Sequence, residues 1–164
     1  MKACLSSPNF CERGKHMAEK NEMRLEFDSR SCNEGFARVA VAAFLTQLNP
    51  TLEEVADVKT ALSEAVTNCI VHAYEGKVEK VIIECQVEGN QMELAVKDQG
   101  CGIEDVKKAM EPLYTTKPQE ERAGMGFAFM EAFMDDVAVE SEPGKGTTVR
   151  MKKKIEHPAG KFAL

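Results

Sequence analysis

The segment Leu62–Ala73 carries a carboxylate and a carboxamide at helical spacing. It reads LSEAVTNCIVHA, and Glu64 and Asn68 are four positions apart, which places them on one face of a helix. A carboxylate can accept a proton, and a carboxamide oxygen can ligate a hard cation such as Mg²⁺. The same pair is also common on a solvated helix face, so the two residues alone leave both interpretations open.

Three glycine motifs follow this segment along the chain. Asp98-Gln99-Gly100-Cys101-Gly102 comes directly after an alternating strand pattern, and Gly124-Met125-Gly126 stands before an apolar helix pattern. A turn that ends in Gly146 and Thr147 joins the last two predicted strands. Each motif by itself is typical of an ordinary turn, because Asp and Gly supply turn chemistry. Their order behind the helix is what makes them candidates for one site.

The first part of the chain predicts the elements that must hold these residues. Met23 to Asp28 alternates between apolar and polar residues, which indicates a half-buried strand at the edge of a sheet. Ser31 and Glu34 have the spacing of a capping box, and the apolar stripe behind them predicts a helix from Cys32 to Leu48.

The helix that carries Glu64 and Asn68 has a start signal of its own. Thr51 and Glu54 form a second capping-box pattern, and the helix is expected to end near Tyr74, before a glycine. At about 100° per residue, one side of this helix is apolar and packs a core. The opposite side carries Asp57, Ala61, Glu64 and Asn68.

The rest of the chain predicts a hairpin, two helices and a second hairpin. The predicted bounds are strands Val81–Val87 and Met92–Val96, helices Ile103–Met110 and Gly124–Met134, and strands Val137–Ser141 and Thr147–Lys153. This order indicates an α+β two-layer sandwich, with helices on one face of a mixed, mostly antiparallel β-sheet. We expect a single domain over residues 21–155, between a disordered leader at 1–20 and a flexible tail at 156–164.

Composition narrows the class of partner. The chain has 164 residues and a formal net charge of −6, which opposes non-specific binding to nucleic acid or anionic lipid. Its six cysteines include no CxxC pair, a pattern typical of a reducing compartment. No run approaches the roughly 20 apolar residues of a membrane helix. We therefore expect a cytoplasmic protein with a protein or small-molecule partner.

The ordered set of ExxxN, DxGxG, a polar loop, GMG and a closing GKGT turn resembles the GHKL, or Bergerat-fold, ATPases. The resemblance covers roughly Met23 to Lys154 and implies the Bergerat ATP-binding fold, with ATP or ADP and Mg²⁺ as cofactors. It also implies that Glu64 accepts a proton from an attacking hydroxyl and that Asn68 ligates Mg²⁺.

The resemblance further implies which residues surround the nucleotide. Asp98 would accept a hydrogen bond from the adenine amine, Gly100 and Gly102 would leave room for base and ribose, and Thr147 would help to hold the adenine. Hydroxyls, cations and helix N-terminal amides would meet the phosphates, and these belong to Thr115, Thr116, Lys117, Arg122, Gly124, Met125 and Gly126. Arg122 is equally typical of an exposed charge on the loop that would form the ATP lid.

Three segments narrow the resemblance further. Phe36–Phe44, Pro112–Pro118 and Glu121–Asp135 are similar to the sporulation anti-sigma F factors, which are free-standing GHKL domains. That family binds and inhibits a sporulation sigma factor (sigma F), uses ATP to phosphorylate a serine of an anti-anti-sigma protein, and acts as homodimers. By this resemblance Arg38 contacts the partners, whereas its position alone predicts an ordinary exposed helix charge.

Other functions share parts of the same pattern. A general stress-response anti-sigma factor with serine kinase activity has the same glycine motifs. A detached histidine-kinase ATPase domain is disfavoured, because no helical segment with a phosphoacceptor histidine precedes the first strand. A nucleotide-binding module without catalysis would have no need for Glu64. Two departures, Ala73 where many relatives have Gly and a short segment after Tyr74, concern the mouth of the nucleotide site.

Overall fold

The computed structural model describes residues 20–111 and 125–156. The predicted leader, except Lys20, and the predicted tail beyond residue 156 lie outside these ranges, as do Thr115, Thr116, Lys117, Arg122 and Gly124. The described strands are β1 Asn21–Asp28, β2 Lys80–Glu88, β3 Gln91–Lys97, β4 Asp136–Glu142 and β5 Gly146–Lys154. They form one sheet in the order β1-β2-β3-β5-β4, and all four pairings are antiparallel.

Four helices accompany the sheet in the described residues: α1 Ser31–Leu45, α2 Leu52–Asn68, α3 Val106–Ala109 and α4 Gly126–Phe133. A 3-10 turn, Thr46–Leu48, extends α1, and a π-helical turn, Cys69–Ala73, extends α2. The two-layer α+β class and the edge position of β1 are confirmed. The helix predicted from Ile103 to Met110 is shorter in the structure, where α3 is one turn capped by the Asp105 side chain.

One of the two predicted capping boxes is confirmed and the other is wrong. Thr51 Oγ1 accepts a hydrogen bond from Glu54 N at 3.2 Å, and Glu54 Oε2 accepts one from Thr51 N at 2.7 Å. At the start of α1, however, the N-cap is Arg30, which provides no side-chain cap. Glu34 instead accepts a hydrogen bond from the Ser63 hydroxyl of α2, because the tertiary fold brings the two helices together.

The core lies between α2 and one face of the sheet. Leu62 of α2 and Ile83 and Met151 of the central strands have no exposed surface, and α2 also packs against α1 and α4. Burying such side chains is the main favourable term in folding. The other face of the sheet carries charged side chains, such as Glu84, which lies 3.2 Å from Arg24 and 2.5 Å from Lys97. One apolar and one charged face explain why the helices lie on a single side.

The side of α2 that carries Asp57, Ala61, Glu64 and Asn68 turns towards α4. Lys153 of β5 fixes this arrangement, since its ammonium donates to Asp57 Oδ2 at 2.9 Å and to the Phe133 carbonyl oxygen at 2.8 Å. Asp57 of α2 is thereby linked to the last residue of α4. Among the described residues, no helix has the length and apolar character needed to cross a bilayer.

Candidate functional site

Glu64 and Asn68 of α2 meet the first residue of α4, Gly126. A Cβ atom placed on Gly126 would lie 3.3 Å from Glu64 Oε2 and 3.5 Å from both Asn68 Nδ2 and Asn68 Oδ1. The ExxxN and GMG motifs, which are far apart in sequence, therefore lie in direct contact. We call the group of Glu64, Asn68 and Gly126 the Gly126 junction.

Glu64 is buried, which excludes the exposed, solvated helix face that the sequence left open as one interpretation. Its exposed fraction is 9%, and Ala61, one turn earlier on the same side of α2, has no exposed surface. A carboxylate in a purely solvated polar face would not be buried in this way. At the same junction α4 begins at Gly126 without a side-chain cap from its N-cap residue, Met125. Backbone amides in the first turn of a helix attract anions.

A second group surrounds the buried carboxylate of Asp98. Its Oδ1 accepts hydrogen bonds from the backbone amides of Gly100 at 2.9 Å and Thr147 at 3.2 Å. Its Oδ2 accepts one from the Cys69 thiol, with an S–O distance of 3.6 Å. Burial raises the pKa of Asp98, against the opposing effect of these hydrogen bonds. We call the group of Cys69, Asp98, Gly100, Gly146 and Thr147 the Asp98 cluster.

Close backbone contacts require glycine at two positions of this cluster, Gly100 and Gly146, and at the nearby Gly102. A Cβ on Gly100 would lie 2.1 Å from the carbonyl oxygen of Ala73, to which Cys101 N donates at 2.8 Å. Gly146 has φ +96°, and its Cβ would lie 2.1 Å from the Asp98 carbonyl oxygen. Gly102 is equally close to the turn between β4 and β5, with its Cβ 2.2 Å from the Glu142 carbonyl oxygen. Close contact with neighbouring backbone thus explains why glycine occupies these positions, whether or not a nucleotide binds there.

The two groups adjoin, because Asn68 and Cys69 are consecutive residues at the end of α2. A cleft of about 420 Å³ adjoins the Asp98 cluster at Gly100, and its lining also includes Ala73, Tyr74 and Lys80 but neither Glu64 nor Asn68. The departures noted in the sequence, Ala73 and the segment after Tyr74, therefore lie at this opening. Within residues 20–111 and 125–156 there is no cluster of three His, Cys, Asp or Glu side chains that could hold a metal.

Sequence reasoning missed two residues that build the site. Cys69 belongs to the apolar stripe of α2, so the helical pattern predicted only a core position, although its thiol contacts Asp98. The Tyr74 hydroxyl donates to the Lys80 carbonyl oxygen at 2.5 Å and accepts from Gln99 N at 2.8 Å, which fixes the residue next to Asp98. Neither link has a sequence signal, because each joins segments that meet only in the folded chain.

Arg38 of α1 belongs to neither group, and it shares the carboxylate oxygen of Glu34 with Ser63 of α2. Its guanidinium is 3.2 Å from Glu34 Oε1, and its side chain is 43% exposed. Phe36 and Val39 on the same helix are exposed to 56% and 67%. Large apolar side chains next to a cation are typical of surfaces that bind a protein.

Comparison with known proteins identifies the family. The family model of the histidine kinase-like ATPase domain matches residues 9–153. An anti-sigma F factor of Thermoanaerobacter sp. (strain X514) is 58% identical over 139 residues, which are 85% of this chain and 97% of that protein. This chain belongs to the anti-sigma F factor family of histidine kinase-like ATPase domains. Another member, from Clostridium botulinum (strain Eklund 17B / Type B), is 60% identical over 137 residues, 83% of this chain and 96% of the relative.

Solved structures show the same fold at much lower identity. The RsbU and RsbW domains of a Mycobacterium tuberculosis protein align with a TM-score of 0.61 and 17% identity, over 85% of this chain and 34% of that one. A blue-light activated histidine kinase of Erythrobacter litoralis EL346 aligns with a TM-score of 0.53 and 18% identity, over 74% of this chain and 41% of that one. These alignments confirm the α+β fold.

Proposed function

We propose that this chain is an anti-sigma factor that binds and inhibits a sporulation sigma factor (sigma F) and, with ATP and Mg²⁺, phosphorylates a serine of its anti-anti-sigma antagonist. The observation that carries the proposal is the buried Glu64 carboxylate, held beside Asn68 at the start of α4, where the N-cap residue Met125 provides no side-chain cap. The relatives named anti-sigma F factors supply the class of partner, because the alignment with this chain covers almost their whole length at about 58% identity.

Glu64 is the proposed general base of the transfer. As the serine Oγ attacks, a bond forms between that oxygen and the γ-phosphorus, and the bond from the γ-phosphorus to the oxygen bridging to the β-phosphate breaks. The serine proton goes to a Glu64 oxygen, and ADP leaves with the bridging oxygen. A carboxylate within reach of the proton contributes typically 10²–10⁴-fold to such a step.

The junction is also the proposed site of a magnesium ion. Mg²⁺ keeps several waters and is bound by one or two protein oxygens together with substrate phosphates, so a full cage of protein ligands is not needed. The proposed protein ligand is the Asn68 side-chain oxygen, which lies 3.5 Å from the point that a Cβ atom on Gly126 would occupy. When bound, the ion would neutralise charge that develops on the phosphates.

The Asp98 cluster is proposed to hold the adenine. Asp98 is a buried acceptor whose position is fixed by two backbone amides, and an acceptor is what the exocyclic amine of adenine requires. Thr147 holds Asp98 through its backbone amide, while its hydroxyl lies 2.9 Å from Ser141 Oγ. Gly100 and Gly102, which close backbone contacts already require, are the proposed neighbours of the base and the ribose. Thr115, Thr116, Lys117, Arg122, Gly124 and Met125 remain proposed phosphate contacts.

The partner surface is proposed to lie on α1. Phe36 and Val39 would bury apolar area against the sigma factor and the antagonist, and Arg38 would exchange its ion pair with Glu34 for one with an acidic partner residue. We further propose that the chain acts as a homodimer in the cytoplasm. Sedimentation at micromolar concentration would reveal a dimer, and a monomer at that concentration would contradict this part of the proposal.

Serine phosphorylation tests the enzymatic part of the proposal. The wild-type chain, ATP, Mg²⁺ and an anti-anti-sigma protein from the same organism should yield phosphoserine, detected by mass spectrometry. Glu64→Gln should bind ATP and lose about 10²-fold or more of the transfer rate. Glu53→Gln, an exposed glutamate of the same helix, should keep the full rate. Equal rates for Glu64→Gln and wild type would refute the general-base role, and wild-type chain that produces no phosphoserine would refute the kinase assignment.

A charge reversal tests the partner surface. Arg38→Glu places two like charges beside each other on α1 and should abolish capture of the sigma factor in a pull-down. Lys107→Glu reverses an exposed charge on α3 and should leave capture unchanged. Retained capture by a folded Arg38→Glu variant would show that the surface lies elsewhere.

A further inference from the structure

Two buried cysteines of the chain differ in what their thiols contact. Cys69 and Cys85 are each 3% exposed. The Cys69 thiol donates to Asp98 Oδ2, whereas no hydrogen bond of the Cys85 thiol occurs within residues 20–111 and 125–156. Burial alone raises the pKa of Cys85 to about 12. Cys85 therefore behaves as a small apolar side chain. The polar contact between Cys69 and Asp98 needs a separate explanation.

The two oxygens of Asp98 are held in different ways. Oδ1 accepts from the amides of Gly100 and Thr147, which belong to the backbone. For Oδ2, the hydrogen bond seen in the described residues comes from the Cys69 thiol. A thiol is a weak donor, and an ionised carboxylate oxygen can accept more than one hydrogen bond. Oδ2 thus has a fixed direction and remaining capacity to accept.

We infer that Cys69 is a positioning residue for base recognition, because its thiol holds Asp98 Oδ2 in the orientation in which that oxygen accepts a hydrogen bond from the exocyclic amine of an adenine nucleotide. The inference rests on the proposed nucleotide site. It assigns the amine contact to Oδ2 and leaves Oδ1 to the backbone. It also gives Cys69 a role that a core position would not have.

Redox sensing is the other role that a cysteine in this place could have. Oxidation requires an accessible thiolate. Burial raises the pKa of the Cys69 thiol well above its usual range, and the neighbouring Asp98 charge raises it further. The thiol therefore stays protonated and acts as a hydrogen-bond donor to Asp98.

The inference predicts a change in selectivity at the 6-position of the purine. Purine riboside 5′-triphosphate has the ring of ATP without the amine, so the affinity ratio between the two nucleotides measures the amine contact. Cys69→Ala removes the donor and should lower that ratio about threefold to tenfold, the range for one net hydrogen bond. Cys69→Ser keeps a hydrogen-bond donor at the same position of the side chain and should retain a ratio close to that of the wild type.

Calorimetry with both nucleotides on folded full-length variants provides the test, with circular dichroism as the check on folding. Cys85→Ala is the matched control, since it removes an equally buried thiol that contacts no Asp98 oxygen, and its ratio should equal that of the wild type. A loss of packing alone would weaken both nucleotides together. An unchanged ratio in Cys69→Ala, or a ratio lowered equally in Cys69→Ser and Cys69→Ala, would overturn the inference.

A spectroscopic measurement keeps the inference testable if Cys69→Ala does not fold. The S–H stretching band of Cys69, identified by its loss in Cys69→Ser, should shift in Asp98→Asn and on addition of ATP. A band that shifts in neither case would refute the hydrogen bond. Failure of the proposed function has a different result, because wild-type chain would then bind ATP and purine riboside triphosphate equally or not at all.

Discussion

The Asp98 cluster and the Gly126 junction lie next to each other, yet the chain builds them in different ways. In the cluster, the backbone amides of Gly100 and Thr147 hold one carboxylate, and tightly packed glycines fix the backbone around it. In the junction, side chains from the face of one helix meet the first residue of another. The cluster is thus part of the framework of the fold, whereas the junction is an arrangement supported by that framework. Substitutions in the two groups should have different consequences.

The largest effect on stability is expected in the cluster. Gly146→Ala combines φ +96° with a Cβ 2.1 Å from the Asp98 carbonyl oxygen, so backbone has to move. We expect a loss of about 3 kcal/mol in the free energy of unfolding. Gly144→Ala is the matched control, because it has φ +77° and no atom within 4 Å of the added Cβ, and it should cost about 1 kcal/mol. Urea unfolding that gives equal losses for both variants would contradict the close contact.

A smaller and different effect is expected in the junction. Gly126→Ala brings a methyl group to 3.3 Å from Glu64 Oε2 at the start of a helix. We expect the stability to change by less than about 1 kcal/mol, while phosphate transfer falls about tenfold or more because the reacting groups are displaced. Gly35→Ala in α1 is the control, since its nearest neighbour is Arg38 Nη2 at 4.0 Å. A Gly126→Ala variant with the full transfer rate would remove the junction from the catalytic site.

Asp98→Asn should separate two properties of the cluster, its contribution to stability and its affinity for ATP. Burial raises the pKa of Asp98, so its contribution to stability is complete below the unfolded pKa of roughly 3.9 and is lost as the pH rises through the raised folded pKa. Asparagine does not ionise and keeps an oxygen for Gly100 and Thr147. The variant should therefore gain stability relative to wild type as the pH rises, while its affinity for ATP falls.

Unfolding curves between acid and neutral pH, together with calorimetry, provide the measurement for this variant. Asp28→Asn is the control, because the pKa of Asp28 is shifted in the opposite direction. The hydrogen bond from Lys80 lowers the pKa of the exposed Asp28, so its contribution is present above the unfolded pKa and is lost as the pH falls. Unchanged ATP affinity in Asp98→Asn would remove the proposed base contact, and a relative stability that fell with rising pH would contradict the burial effect.

The sequence predicted the local features that depend on near neighbours. The capping box of Thr51 and Glu54, the edge strand β1 and the helix with Glu64 and Asn68 are all present. The Ser31 and Glu34 box failed although its spacing was correct, because Glu34 finds Ser63 and Arg38 as partners in the folded chain. A local hydrogen-bond pattern competes with tertiary contacts, and only its spacing can be seen in a sequence.

The candidate site shows the same division. The residue types and spacing of Glu64, Asn68 and the glycine motifs were determined by the sequence alone, since helical and strand periodicities follow from backbone geometry. The tertiary structure decided that Glu64 is buried against Gly126, that Gly100 and Gly146 serve close backbone contacts, and that Cys69 contacts Asp98. These facts depend on close packing between distant segments, whose fit is fixed only when the whole core forms.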